Sequence, residues 1–323
     1  MTIVLRDPIP LRALTGRPPA AGAAGLPLRP LLEAPRRPAR VIAAFPSAVY
    51  LEMRVEPRAD PRTGTCRAPE PRVLAVVCSD AVRLPNALVL AATRRERPFR
   101  SVREGAEAWV GDGLVETDGL YVRARRWWDP VPALGPLTPS GAARGLHALE
   151  DALDEADAAA ACGLAGHPDP EALAGACAAG DLAGAVEAAE RIVGLGPGLT
   201  PSGDDILSGL LVSLRLVGGA VRGGERAVWL AGWLGAAVTA DAGTRTTALA
   251  ATLLHCAASG SAGADVAAVL RVVAGHEAPR PAVRRLLAAG HTSGADLAWG
   301  VRAGCHAALA LAASAASPHR ATA

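Results

Sequence analysis

The sequence contains no lysine, and all 33 of its basic residues are arginine. Without lysine the chain cannot form a Schiff base, and it cannot use the lysine of a Walker-type phosphate loop. The formal net charge is only +2 at pH 7. A charge this close to zero gives no reason to expect nucleic acid as a partner, and the local arginine clusters are expected to be solvated faces or a partner surface.

Aromatic residues and paired cysteines are also scarce. Aromatics make up 3% of the chain, whereas hydrophobic residues make up 50%, much of it alanine. This composition favours closely packed helices with small contact residues. The six cysteines show no C-x-x-C spacing, and no H-E-x-x-H or other metal-ligand pattern occurs. We therefore expect reduced, mostly buried cysteines, which lie at positions 66, 78, 162, 177, 256 and 305.

Long hydrophobic runs are absent as well. The best apolar runs, 227–240 and 304–317, are shorter than the roughly 20 residues that cross a bilayer. Charged residues and a proline at positions 6–8 interrupt the start, which does not resemble a signal peptide. The sequence therefore predicts a cytoplasmic protein that does not associate with a membrane.

The pattern of residues changes along the chain and predicts an α+β fold, with an N-terminal β-rich domain followed by an all-α helical domain. Residues 1–39 are rich in proline and are expected to form an irregular leader. Short β-type runs place the β-rich domain at 40–130, with one short helix at 103–110. Helical composition and three- to four-residue apolar spacing place the helical domain at 139–318. The predicted strands are 41–45, 48–55, 73–77, 87–90 and 120–123, and the predicted helices are 141–162, 170–178, 181–193, 204–217, 225–240, 246–258, 263–274, 280–289 and 294–316.

A glycine-rich run at 194–205, GLGPGLTPSGDD, stands immediately before an apolar stretch. Glycine allows positive φ and close approach, and proline fixes φ, so the run predicts a shaped loop that leads into a helix. We expect Ser202 to cap this helix, with Asp205 completing a variant of the capping box. Such a helix N-terminus suits an anion. The candidate anion-binding residues in this loop are Gly196, Gly198, Thr200, Ser202 and Gly203.

The pattern S-G-x-D-[I/L]-x-x-G occurs twice, starting at Ser202 and again at Ser293. Thr292, Ser293 and Asp296 are therefore further candidates for the binding site. A fainter echo at 134–141, LGPLTPSG, lacks the acids. Well-made helix caps are the alternative explanation for each copy, although capping alone does not require Gly196 or Gly198.

A third candidate anion loop lies at 241–247, DAGTRTT, before another apolar run. Arginine binds phosphate or carboxylate through two parallel hydrogen bonds, which lysine cannot do. Thr244, Arg245, Thr246 and Thr247 are therefore candidate binding residues. A similar short T-R-T string binds carbamoyl phosphate in the aspartate and ornithine carbamoyltransferases, which is an analogy of chemistry. A capped surface helix with a solvated arginine is the alternative.

The motif GLGPGLTPSGDD resembles a bacterial family named AllH-like, after a subunit of oxamate carbamoyltransferase. The segments TRTT at 244–247 and GHTSGAD at 290–296 are similar to its later blocks, in the same order. The likeness covers most of residues 40–312 and is strongest in the helical half. It implies the phosphorolysis of oxalurate to oxamate and carbamoyl phosphate in allantoin and purine catabolism. It also implies FdrA-like and AllG-like partner subunits and small anionic ligands, namely phosphate or carbamoyl phosphate and oxamate or oxalurate.

Several assignments of catalytic roles stay open at this stage. His291 is a natural proton carrier because its pKa lies near neutrality, although a histidine satisfied in a turn is an alternative. Adjacent carboxylates at Asp204 and Asp205 would repel an anion, so either Asp205 caps its helix while Asp204 orients a donor, or Asp204 holds Mg²⁺. A different class of function is a noncatalytic anion-binding or scaffolding subunit, whose interface residues would be Trp229, Trp233 and Trp299. A nucleotide-dependent kinase or ligase component is disfavoured by the missing lysine.

Overall fold

The computed structural model describes residues 18–54, 58–59, 66–67 and 71–315. In the described part, a closed eight-stranded β-barrel is followed by a helical region. The α+β fold class predicted from the sequence is confirmed. Residues 1–17 of the predicted leader lie outside the described residues, as do residues 316–323 at the end of the last predicted helix.

The barrel strands follow the order β1-β10-β9-β8-β2-β3-β6-β7, and β7 closes onto β1. Two pairs, β1 with β10 and β6 with β7, are parallel, and the other pairs are antiparallel. The strands are β1 (Ala20–Gly25), β2 (Arg37–Ala44), β3 (Ala48–Met53), β6 (Val73–Val77), β7 (Ala87–Leu90), β8 (Glu107–Gly111), β9 (Leu114–Thr117) and β10 (Leu120–Trp128), with the two-residue strands β4 (Arg58–Ala59) and β5 (Cys66–Arg67) paired outside the barrel.

The first barrel strand differs from the predicted irregular leader. Strand β1 has the sequence AAGAAG and lies between β10 and β7, so residues 20–25 belong to the barrel, as do residues 37–39 at the start of β2. A Cβ at Gly22 would lie 2.8 Å from a Leu88 methyl group and 3.2 Å from one of Val122. Only a small residue fits at that position, and the strand contains none of the β-branched residues that usually signal a strand.

The short helix predicted at 103–110 is wrong. Residues 107–111 form β8, which pairs with both β2 and β9. Ala108 and Val110 point into the barrel core and are fully buried. Pairing on both sides and burial of alternate residues outweigh the weak helical preference of this stretch.

One side of the barrel is covered by the helical region. Strand β6 is buried along its whole length, because Leu74 and Val76 face the barrel core while Ala75 and Val77 face outward into a second apolar cluster. The backbone N–H groups of Arg72 and Val73 donate to the Thr252 hydroxyl at 3.2 and 3.1 Å. These contacts fix the barrel against the helices.

The helical region matches the predicted segments, except that the first predicted helix, 141–162, already ends at Glu155, and the region adds one short helix, α7. The described chain also has a four-residue helix α1 and two 3₁₀ turns at 26–28 and 94–96 near the barrel. No described helix combines the length and the apolar character needed to span a membrane. The helices are α1 (Arg29–Leu32), α2 (Pro139–Glu155), α3 (Pro168–Ala179), α4 (Leu182–Ile192), α5 (Ser202–Ala220), α6 (Glu225–Ala240), α7 (Ala242–Arg245), α8 (Ala248–Ala258), α9 (Ala264–Val273), α10 (Pro279–Leu287) and α11 (Ser293–Ala315).

Candidate functional site

The two S-G-x-D motifs begin two helices, α5 and α11, that pack directly against each other. A Cβ on Gly209 would overlap the Leu297 carbonyl oxygen, and a Cβ on Gly300 would overlap that of Ile206. These contacts are reciprocal, since each motif glycine touches the residue three positions before the other one. The contacts advance together along both helices, so α5 and α11 run in the same direction with their N-termini side by side.

Hydroxyl groups join the two N-termini. The hydroxyls of Thr200 and Ser293 are 3.1 Å apart, and those of Ser202 and Thr292 are 3.4 Å apart. The parallel arrangement places the positive ends of two helix dipoles next to each other, which favours negative charge or electron-rich groups at this end. The two copies of the motif, which are about 90 residues apart in the sequence, therefore form a single candidate site in the structure.

The predicted cap on α5 is wrong in detail. Helix α5 begins at Ser202 itself, Pro201 occupies the cap position, and no side chain caps the helix. The backbone N–H of Gly203 donates to the Leu195 carbonyl oxygen at 2.9 Å, and that of Asp205 donates to Pro201 at 3.1 Å. Because backbone oxygens take these donors, the side chains of Ser202 and Asp205 are left for other contacts. The echo at 134–141 is a simple cap, since Thr138 accepts from the Gly141 N–H at 3.1 Å.

Asp204 connects the glycine-rich loop to the TRTT segment. Its Oδ1 accepts from the Gly194 N–H at 3.0 Å, and its Oδ2 accepts from the Thr246 hydroxyl. Burial raises the pKa of Asp204, while the Thr246 hydroxyl, the Gly194 N–H and the charge of Arg245 lower it. Both oxygens are engaged by protein donors, which favours the orienting role over a role in holding Mg²⁺. The described residues contain no cluster of three or more potential metal ligands.

The TRTT segment makes several hydrogen bonds to other parts of the protein. Thr247 caps α8 by accepting from the Ala250 N–H at 3.0 Å, and its hydroxyl donates to the Leu199 carbonyl oxygen at 2.5 Å. Arg245 donates to the Glu190 carbonyl oxygen and lies 3.9 Å from Asp241. Thr244 is exposed and donates to the Asp241 carbonyl oxygen of its own turn.

A close approach of backbones explains two of the motif glycines. Gly196 has φ +121°, and a Cβ there would lie 2.8 Å from the Ser202 nitrogen. A Cβ on Gly203 would overlap the Ile192 carbonyl oxygen. Gly196 and Gly198 are exposed in this loop.

A cavity of about 290 Å³ lies between the barrel and the helices, next to the paired N-termini. Its barrel wall consists of Ser47, Ala48, Tyr50, Ala81, Val82, Leu84 and Pro85. Its helical wall is apolar at Val212, Leu249, Leu253, Ala257, Ala262, Val266, Leu286, Ala289 and Leu297, and polar at Thr200, Asp205, Ser208, Ser261, Asp265 and Ser293, with glycines at 263 and 290. Among the described residues, no arginine or histidine lines this cavity.

Asp205 is the most unusual group in the cavity wall. It is 5% exposed, and its Oδ2 has no hydrogen-bond partner among the described residues. Burial raises the pKa of Asp205 to about 8, and the negative charges of Asp296 and Asp204 raise it too, against the lowering effect of the hydroxyls of Ser293 and Thr200. A carboxyl group with this pKa still carries a proton at neutral pH, which is what a general acid requires.

Asp296 occupies the position in α11 that Asp205 occupies in α5, but it lies in a closed environment. It is fully buried, and its Oδ1 accepts from the Gly163 N–H at 2.8 Å and the Cys162 thiol at 3.1 Å. Its Oδ2 has no partner among the described residues. Burial, together with the contact to Asp296, raises the pKa of Cys162 to about 12, so this thiol is not a nucleophile.

Other predicted residues lie away from the cavity. His291 is exposed, and neither it nor Arg245 lines the cavity. The five cysteines at 78, 162, 177, 256 and 305 are buried and free, as expected, whereas the side chain of Cys66 lies outside the described residues. Sequence reasoning missed the cavity residues Ser208, Asp265 and Tyr50. Of these, only Ser208 left a signal, since it follows Asp205 by three residues and shares its helix face.

Comparison with known families fits this picture. Residues 192–305, which hold both S-G-x-D motifs and the TRTT segment, match the model of the family described as oxamate carbamoyltransferase subunit AllH. The AllH-like resemblance predicted from the motifs is therefore confirmed. No curated protein and no solved structure matches the chain.

Proposed function

We propose that this AllH-like chain is a subunit of an oxamate carbamoyltransferase that phosphorolyses oxalurate to oxamate and carbamoyl phosphate in allantoin and purine catabolism. The observation that supports this most is the buried Asp205 carboxyl at the paired N-termini of α5 and α11. It lies within the segment that matches the family, and it faces a cavity large enough for a small metabolite.

The proposed reaction needs one proton donor at the leaving nitrogen. An oxygen of hydrogen phosphate attacks the ureido carbonyl carbon of oxalurate, and the bond from that carbon to the oxamate nitrogen breaks. Asp205 donates its proton to the departing nitrogen, and the proton of hydrogen phosphate returns Asp205 to the protonated state. The hydroxyls of Thr200 and Ser293, beside the positive helix ends, stabilise the oxyanion of the tetrahedral intermediate.

The negative charges of phosphate and oxalurate need more than this cavity offers. The arginine of the TRTT segment contacts Glu190 and Asp241 rather than the cavity. The family description as a subunit implies a multi-subunit enzyme. We therefore propose that FdrA-like and AllG-like subunits complete the site and supply the cationic groups that bind phosphate.

The proposal is tested by reconstituting the chain with these partners and measuring carbamoyl phosphate formation from oxalurate and phosphate. Asp205→Asn keeps the shape of the side chain but cannot donate an acidic proton, and we expect a loss of at least 100-fold in kcat. His291→Ala and the exposed Asp241→Asn serve as controls and should retain activity. Unchanged activity in Asp205→Asn, or a large loss in His291→Ala, would overturn the role given to Asp205.

A noncatalytic binding or scaffolding subunit is the second candidate, and one observation favours it. Trp229 and Trp233 on α6 are 55% and 58% exposed, with ring centroids 6.4 Å apart. Exposed tryptophans are typical of protein interfaces. In contrast, Trp299 packs against the helical core. If the reconstituted complex is active and Asp205→Asn does not affect it, the chemistry belongs to a partner and this second function is favoured.

A further inference from the structure

The surroundings of Asp205, at the N-terminus of α5, differ from those of Asp296, at the N-terminus of α11. Asp205 and Asp296 hold equivalent positions on two helices that contact each other reciprocally. At Asp296, the loop around Gly163 supplies a backbone N–H and a thiol to one carboxyl oxygen. At Asp205, the hydroxyls of Ser293 and Thr200 take the place of that loop, and the carboxyl lines the open cavity. The Oδ2 atom of each aspartate has no partner among the described residues.

The loop at Asp296 is fitted closely to the helix ends. A Cβ on Gly163 would overlap the Ser202 hydroxyl and would lie 3.4 Å from that of Thr292. Glycine is therefore required for this backbone amide to reach between the two N-termini. The chain thus places one of its own amide groups against one of the two equivalent aspartates and leaves the other aspartate facing a cavity.

The charges around the cavity disfavour an anion in contact with Asp205. The ionisable side chains in its described lining are the carboxyls of Asp205 and Asp265 and the Tyr50 phenol, and burial raises the pKa of all three. Asp204 and Asp296 add negative charge from behind Asp205. Arg285 is 3.8 Å from Asp265 but is not part of the cavity lining. The positive ends of the two helix dipoles already face Asp204, Asp205 and Asp296 in the first turns of α5 and α11. A carboxylate or phosphate in contact with Asp205 would therefore be desolvated without a full counter-charge, which is costly.

We infer that Asp205 binds the neutral amide or ureide end of the unreacted ligand, before any bond breaks, with its O–H donating to the ligand carbonyl and its second oxygen accepting from the ligand N–H. The Gly163 N–H on Asp296 is the internal counterpart of this contact. The anionic end of the ligand then points away from Asp205, toward the mouth of the cavity. That the ligand is oxalurate rests on the proposed function, whereas the preference for a neutral amide end does not.

The test is calorimetric titration of the full chain with N-acetylurea, oxalate and inorganic phosphate. We expect N-acetylurea to bind and the two anions not to bind. The affinity for N-acetylurea should fall at least tenfold as pH rises from 7 to 9, because an ionised Asp205 cannot donate to the ligand carbonyl. Binding of oxalate or phosphate in competition with N-acetylurea, or absence of N-acetylurea binding, would overturn the inference.

Two variants and a control make the test specific to Asp205. Asp205→Asn still offers one donor and one acceptor, so it should bind N-acetylurea with an affinity that no longer depends on pH. Asp205→Val should lose at least tenfold in affinity at every pH, and its melting temperature confirms that it folds. Asp265→Asn, in the same cavity, should keep the pH dependence, and its loss there would also contradict the inference.

The binding test of this inference and the activity test of the proposed function can give different results. Binding of N-acetylurea with the expected pH dependence, together with an inactive reconstituted complex, would support the inference and overturn the proposed reaction. An active complex that depends on Asp205, together with a chain that prefers phosphate, would do the reverse.

Discussion

Asp204 and Asp205 are neighbours in the sequence but have opposite surroundings. Asp204 accepts hydrogen bonds on both oxygens and ties two loops together. Asp205 faces a cavity with one unpaired oxygen, and burial raises its pKa to about 8. Successive residues of a helix point about 100° apart, so adjacent carboxyls can serve structure and chemistry separately.

The first prediction concerns stability against pH. The Asp205 carboxyl ionises near pH 4 in the unfolded chain and near pH 8 in the folded one, so the unfolded state binds fewer protons between these values. The free energy of unfolding of the wild type should therefore fall relative to that of Asp205→Asn by about 1.4 kcal/mol per pH unit in this range. Urea titrations from pH 5 to 9 measure this difference in unfolding free energy, and the exposed Asp241→Asn is the control. A constant difference between wild type and Asp205→Asn would show that Asp205 ionises normally.

The second prediction concerns the loop connection. Thr246→Val removes the donor to Asp204 Oδ2 and leaves a buried carboxyl oxygen unpaired, which should cost about 1–3 kcal/mol of folding free energy. The matched control is Thr244→Val, where the hydroxyl is exposed and bonds only within its own turn, and the change should stay within about 0.5 kcal/mol. Chemical denaturation measures both. Equal effects of the two substitutions would contradict the role given to Asp204.

At the scale of secondary-structure elements, the sequence predicts where the helices lie along the chain. It does not predict which helices pack against each other. Most predicted helices agree with those of the structure because apolar spacing and caps are local signals, although α7 was not predicted and α2 ends at Glu155 rather than at 162. Strand β1 escaped prediction because it consists of alanine and glycine only, and the packing of Leu88 and Val122 against Gly22, which requires a small residue there, is not local. The repeated S-G-x-D motif was visible, but only the contact between Gly209 and Gly300 shows that its two copies form one site.

The third prediction tests this helix pair. Gly209→Ala would place a methyl group against the Leu297 carbonyl oxygen and force α5 and α11 apart, at a cost of about 1–3 kcal/mol or more. On α6, Gly232 is an exposed helical glycine with open space around its Cα, and Gly232→Ala should stabilise the protein by about 0.5–1 kcal/mol. Thermal and urea unfolding compare the two. A neutral Gly209→Ala would mean that the helices separate easily and that the paired site is not rigid.

For the molecule as a whole, the cavity depends on both parts of the chain. The barrel contributes residues on and near β3 and β7, the helices contribute the acid, and Thr252 joins the two through the Arg72 and Val73 amides. The sequence indicated where the two parts lie but not which faces meet, because β6 appears as a uniform apolar run whichever side is covered. Asp265 and Tyr50 could not be assigned to the site without knowing how the barrel packs against the helices.

The fourth prediction concerns assembly. A subunit must bury part of its surface on a partner, and the Trp229–Trp233 pair is the largest exposed aromatic group in the described part of the chain. Replacing both with serine should weaken binding to the proposed AllG-like or FdrA-like partner at least tenfold, because each tryptophan in an interface centre contributes about 2 kcal/mol or more. The stability of the isolated chain should change little, since both rings are exposed.

Biosensor titration of the purified partners against wild type and the double variant measures this effect. Phe45→Ser is the control, because Phe45 is 46% exposed and lies at the end of β2 on the barrel, well away from α6 in the sequence. The control should bind partners as the wild type does. If the double variant binds with wild-type affinity while Phe45→Ser weakens binding, the partner docks on the barrel. The tryptophans would then have no part in assembly, and the scaffold interpretation of α6 would fail.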